Sequence, residues 1–145
     1  FGLQRGTNRK KIPEYREQLA QLGLGLEDKM QVKVGALSGG QRQALSLLMS
    51  DMTPVEFLIL DEHTAALDPK TADIIMQLTD RIVKEKKLTA IMVTHNLRYA
   101  AEYGDRLVMM HQGKAVMDMK GEKKQKVQID DILGKFNEIS IECGN

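Results

Sequence analysis

Four apolar residues, Phe57-Leu58-Ile59-Leu60, run directly into two carboxylates, Asp61-Glu62. An uninterrupted apolar run of this length reads as a strand buried on both faces of a parallel sheet, because no polar alternation marks a wet side. Two carboxylates at the tip of such a strand suit one task between them. One can hold a hydrated magnesium ion while its neighbour orients or deprotonates a water. A second stretch, Leu37-Ser38-Gly39-Gly40-Gln41-Arg42, ends nineteen residues before Asp61. A serine and two glycines opening a helix offer an oxyanion unpaired backbone N–H groups and the positive end of the helix dipole, with no Cβ to obstruct approach. The two stretches together imply nucleotide chemistry.

The size and composition allow one domain with a real core: 145 residues, 42% hydrophobic and 28% charged. Twenty-one basic residues against twenty acidic ones give a formal charge of +1, so no field favours nucleic acid as a partner. Lys120, Lys123, Lys124 and Lys126 cluster around Gly121 and Glu122 and read as a solvated loop. The single cysteine, Cys143, has no internal disulfide partner and excludes the usual zinc patterns, which fits a reducing compartment. No apolar run approaches the roughly 18 residues of a membrane span, and no signal-peptide pattern opens the chain.

Phe1 to Lys11 is polar and basic and reads as a loop or the frayed end of a helix. From Pro13, the residues Tyr15, Leu19 and Leu22 predict a short amphipathic helix that stops at Gly23. Leu24 to Ala36 is a connector. Ser38 caps a helix carrying Ala44, Leu45, Leu48, Met49 and Met52 inward as far as Pro54. Asp68-Pro69 opens a longer helix on Ile74, Leu78 and Ile82, widened by Ile75 and Val83, and Leu88 to Val93 is a second buried strand. Strand, helix, strand with a right-handed crossover is the expected topology. Asn96 caps a short helix that runs through Tyr99 to Tyr103 and is stopped by Gly104. Gln112-Gly113 joins Leu107–Met110 to Ala115–Met119 as a hairpin at the sheet's edge. A last helix from Ile129 to Ile139 carries Ile132, Leu133 and Phe136, and six loose residues follow. The nine methionines read as gap-filling core.

Leu37 to Arg42 resembles the signature motif of ATP-binding-cassette (ABC) proteins. Phe57 to Asp68, FLILDEHTAALD, resembles that family's magnesium-binding strand, catalytic glutamate and D-loop, and Thr94-His95-Asn96 resembles its switch histidine. The likeness runs from about Leu19 to about Val116. One element of the family pattern has no counterpart: the sequence contains no G-x-x-x-x-G-K-[ST] phosphate loop. The resemblance therefore implies the back half of a nucleotide-binding domain. Its fold class would be α/β, the C-terminal part of a P-loop NTPase, with a mostly parallel sheet, flanking helices and part of the helical signature subdomain. Residues 1–52 would belong to the helical subdomain and 53–145 to the ATPase core.

The resemblance also assigns roles. Asp61 would hold Mg²⁺ and Glu62 would polarise the attacking water; each could otherwise be a capping or surface carboxylate. His95 would contact the γ-phosphate of ATP, where a lone histidine is more commonly structural. Ser38, Gly39, Gly40 and Gln41 would contact the γ-phosphate held by an opposite subunit, and Asp68 would cross the dimer interface as well as cap a helix. His63 stands where many transporters of the family carry proline and reads as a loop residue that touches a neighbour; His111 reads as surface.

The implied protein is the ATP-hydrolysing subunit of a transporter at the inner face of the cell membrane. It would work as a homodimer on permease partners without spanning the membrane. The DEHTAALD and SGGQRQALSLLM stretches resemble importers of amino-acid-like solutes, aromatic amino acids among them. Two other readings are a chromosome-maintenance or DNA-repair ATPase, against which the residues before Ser38 show no heptads, and a non-catalytic partner-binding module. Without a phosphate loop, this chain is expected neither to bind ATP tightly nor to hydrolyse it. Self-association through uncovered strands is expected as well.

Overall fold

Pro13 enters the first turn of α1 (Ile12–Ala20), where its missing N–H is no loss, and Leu19 is the buried residue of that helix. A 3-10 turn, Arg9–Lys11, precedes it. The computed structural model describes residues 9–52 and 54–142. Cys143 and most of the expected N-terminal loop lie outside them. Packing divides the chain into two compact units, Phe1–Met92 and Val93–Asn145.

In the first unit, Gly23 and Gly25 take positive φ after α1 and turn the chain into the connector, which buries Leu26 and ends in a 3-10 turn at Val34–Ala36. The helix α2 (Gly39–Asp51) follows, capped by Ser38. Strand β1 (Phe57–Asp61) and strand β2 (Thr89–Val93) pair in a two-stranded sheet, joined through α3 (Pro69–Lys86). The apolar face of α3 is turned slightly from the expected one: Leu78 and Ile82 are buried as read and Ile75, read as a flank, is buried with Met76 and Ala72 beside it, whereas Ile74 and Val83 are only partly buried. Ile75, Leu78 and Ile82 join Leu19, Leu22, Leu26, Leu37, Ala44, Leu47 and Leu60 in one core.

The strands depart from expectation. Phe57 is 48% exposed and Ile59 67%, while Leu60 is buried, so β1 has one packed face and one open face. Ile91 of β2 is open in the same way. The reason is local: Leu58, Leu60 and Met92 point into the helix-lined core, and among the described residues the sheet has two strands with cover on that side.

The second unit holds α4 (Leu97–Glu102), the antiparallel pair β3 (Arg106–His111) and β4 (Lys114–Lys120), α5 (Glu122–Gln125) and α6 (Ile129–Glu142). Asn96 caps α4 as expected, accepting from the N–H groups of Arg98 at 3.1 Å and Tyr99 at 3.3 Å. Gln112 and Gly113 both have positive φ, the two-residue turn that matches strand twist. A register shift between Met109 and Met110 marks a bulge, and Arg106 grips Asp118 with two bonds of 2.9 and 2.7 Å. Met109, Val127, Ile132 and Ile139 form the core of this unit. The expected loose end is helical as far as Glu142.

The basic cluster needs one correction. Lys120, Lys123 and Lys126 are exposed, but Lys124 is 2% exposed and its Nζ donates to the carbonyl of Ala101 at 2.6 Å. The carbonyls in the last turn of α4 lack intrahelical partners, and a cation placed there satisfies one of them. Burial holds this ammonium below the ordinary lysine pKa, opposed by the nearby charge of Asp105.

Candidate functional site

Ser38 and Gln41 form a reciprocal capping box at the start of α2. The Gln41 N–H donates to Ser38 Oγ at 3.2 Å, and the Ser38 N–H donates to Gln41 Oε1 at 3.1 Å. Gln41 also receives Lys29 Nζ at 3.2 Å and donates its amide to the Leu24 carbonyl at 2.9 Å. Its side chain thus knits the connector to the helix. Arg42 does the same for the residue before the cap, donating to the Leu37 carbonyl. The Ser38 cap is evident from the motif, and its S-x-x-Q spacing is the signal for the reciprocal Gln41 bond; the bonds to Lys29, Leu24 and Leu37 are not evident from it.

The two glycines differ. Gly39 is exposed and Gly40 is buried. A Cβ on Gly39 would meet Leu67 Cδ2 at 3.4 Å, and one on Gly40 would overlap the Cγ2 methyl of Thr71. The bare approach expected at both positions exists at Gly39, whereas Gly40 turns toward α3.

At the end of β1, Asp61 and Glu62 are both exposed. Glu62 takes φ 43°, a left-handed conformation that is costly for a residue with a side chain. Two tight turns follow, with the Ala65 N–H on the Glu62 carbonyl at 2.9 Å and the Leu67 N–H on the Thr64 carbonyl at 3.1 Å. They deliver Asp68 to the N-cap of α3, where its Oδ1 accepts from the Thr71 N–H at 3.0 Å. Hydrogen bonds from the Thr71 side chain and then its backbone hold the Asp68 carboxyl below the usual carboxylate range.

His63 lies half-buried with Nε2 3.4 Å from Thr79 Oγ1, the neighbour contact expected of it, and burial lowers its pKa. Ser38, Gly39, Gly40, Gln41, Asp61, Glu62 and Asp68 all belong to the first unit. His95 belongs to the second, exposed in the turn before α4, where the Asn96 N–H donates to Thr94 Oγ1 at 3.0 Å. His111 closes β3 and is partly buried. Among the described residues no three His, Cys, Asp or Glu side chains gather as a metal cluster. A single exposed carboxylate fits a magnesium ion that keeps its waters and takes phosphate oxygens, and does not fit a cage built wholly of protein ligands.

The tyrosine transport ATP-binding protein of Clostridioides difficile is 52% identical over 115 residues, which are 79% of this chain and 46% of that protein. The phosphonates import ATP-binding protein PhnC 1 of Ruegeria sp. is 36% identical over 109 residues, 75% of this chain and 42% of its own length. The energy-coupling factor transporter ATP-binding protein EcfA2 of Bacillus cereus is 40% identical over 87 residues, 60% of this chain and 30% of its length. The chain spans less than half the length of these curated relatives. No family model matches it. The crystal structure of the ADP conformation of an ATP-binding cassette of an ABC transporter shares its fold, with a TM-score of 0.66 at 23% identity, over 96% of this chain and 52% of that one. The expected α/β ATP-binding-cassette fold class holds.

Proposed function

This chain is a relative of the ATP-binding proteins of ABC transporters, and on that premise we propose that it is part of an ATP-hydrolysing subunit that drives an importer. Residues 1–52 are part of the signature-bearing helical subdomain and 53–145 part of the ATPase core. The observation that carries this reading is the left-handed backbone of Glu62 directly after the β1 carboxylate Asp61. A fold retains such strain where a side chain must be aimed, and the chemistry expected of Glu62 is the aiming of a water at a phosphate.

Asp61 is the residue suited to Mg²⁺, which when bound neutralises phosphate charge. Glu62 orients the attacking water and accepts its proton. Ser38, Gly39 and Gly40 offer the first turn of α2 to the terminal phosphate of ATP held by a second nucleotide-binding subunit. Gln41 serves that turn by holding it, through Ser38 and Leu24. Asp68 fixes the start of α3, and His95 is the switch that contacts the γ-phosphate.

The partners are a second such subunit and membrane permeases, which place the protein at the inner face of the membrane. Among the described residues no helix is long and apolar enough to cross one. The solute is an amino-acid-like molecule, in keeping with the 52% identical relative being a tyrosine transport ATP-binding protein.

The test is a hydrolysis and binding measurement on the protein in which this chain is joined to a phosphate loop. Glu62→Gln is expected to lower kcat by about a hundredfold or more while ATP binding persists, since general-base contributions are of that order. Unchanged hydrolysis in that variant overturns the reading. This chain alone is expected to show no micromolar ATP affinity in isothermal titration.

A further inference from the structure

The first turn of α3 meets α2 at one side chain. Thr71 donates its N–H to Asp68 Oδ1 at 3.0 Å, and its hydroxyl hydrogen-bonds the same carboxylate. Thr is stiff at χ1 because two heavy atoms branch from Cβ. With the amide and hydroxyl both committed to Asp68, the Cγ2 methyl is left over the Cα of Gly40, so close that a Cβ there would overlap it. At Gly39 the neighbour is Leu67, two turns after Glu62, and a Cβ there would only touch it, at 3.4 Å.

We propose that Thr71 is a positioning residue that sets where the first amides of α2 stand, and that Gly40 is glycine because the Thr71 methyl occupies the space a Cβ would take. The Asp68 carboxylate orients Thr71, Thr71 seats Gly40, and the α2 N-terminus is thereby indexed to the turn that begins at Glu62. The consequence for nucleotide contact rests on the function proposed above; the packing itself does not.

A double-substitution experiment on this 145-residue chain separates the two, because it needs no nucleotide. Gly→Ala inside a helix is ordinarily stabilising, so a loss at Gly40 must come from overlap. Gly40→Ala is expected to lower the folding equilibrium constant about tenfold to a hundredfold, the usual size of an overpacking penalty. The amide resonances of Gly39 and Gln41 should shift with it. Thr71→Ser keeps both bonds to Asp68 and removes the methyl; in that background Gly40→Ala should become neutral or stabilising and the resonances should return. Thr71→Val keeps the methyl's bulk and should not rescue. Should Gly40→Ala alone fail to fold, recovery of folding in the Gly40→Ala, Thr71→Ser double variant supports the proposal. Equal damage in both backgrounds, no damage from Gly40→Ala alone, or a double variant that also fails to fold overturns it. A failure of the transporter reading would leave all these outcomes unchanged.

Discussion

The ammonium of Lys124 sits 2.6 Å from the carbonyl of Ala101, at the end of a side chain that is only 2% exposed. Removing it leaves that carbonyl without its donor and empties the space of the stem. Lys124→Ala is expected to cost about 2–3 kcal/mol in urea unfolding, and Lys124→Met, which keeps the stem, about 1 kcal/mol. Because burial lowers the pKa of this group, the folded chain releases its proton before the unfolded one does. Stability should therefore rise with pH in the window below the free lysine value of about 10.4, and Lys124→Met should flatten that rise.

His63 gives a slope at lower pH. Burial lowers its pKa beside Thr79, so the unfolded chain binds a proton that the folded chain refuses. Its contribution is present above the free histidine value of about 6.5 and is lost as pH falls from there toward the lowered folded value. Urea midpoints measured across that range should decline for the parent chain and decline less for His63→Gln.

Glu62 holds a left-handed φ of 43°. Asparagine tolerates this region better than glutamate does, so Glu62→Asn is expected to raise stability by up to about 1 kcal/mol while removing the carboxylate proposed to act on water. Thermal midpoint and hydrolysis should move in opposite directions. A variant that loses stability contradicts strain at this position.

Asp68 caps α3 through Thr71. Asp68→Ala should lower the thermal midpoint and speed hydrogen exchange at the Thr71 amide, with Asp68→Asn intermediate. Since hydrogen bonding lowers the Asp68 pKa, the parent's advantage over Asp68→Ala is present above the free aspartate value and is lost as pH falls through the lowered one.

Phe57 and Ile59 stand on the open face of β1, with Ile91 open on β2. Exposed apolar strand residues in a row associate. Sedimentation of the chain should show self-association, and Ile59→Lys should shift it toward monomer without weakening the core, since Leu58 and Leu60 face the other way.

Elements set by local rules were legible in the sequence. Pro13, Ser38, Asp68 and Asn96 each mark a helix start that the structure has, and Gln112-Gly113 marks the hairpin. What could not be read depends on distant packing. The run Phe57 to Leu60 carries no record of which face is covered, and Lys124 looks like its exposed neighbours until α5 turns it beneath Ala101. At the site, the motif identifies Gly40 but not Thr71, because the pair is separated by a helix and a strand and meets only in the tertiary fold.

Gln41 binds Leu24 with one end of its amide and Ser38 with the other. Anything that competes for that amide must unfasten the connector as well, so occupancy at the mouth of α2 and slack in residues 24–37 are two readings of a single latch.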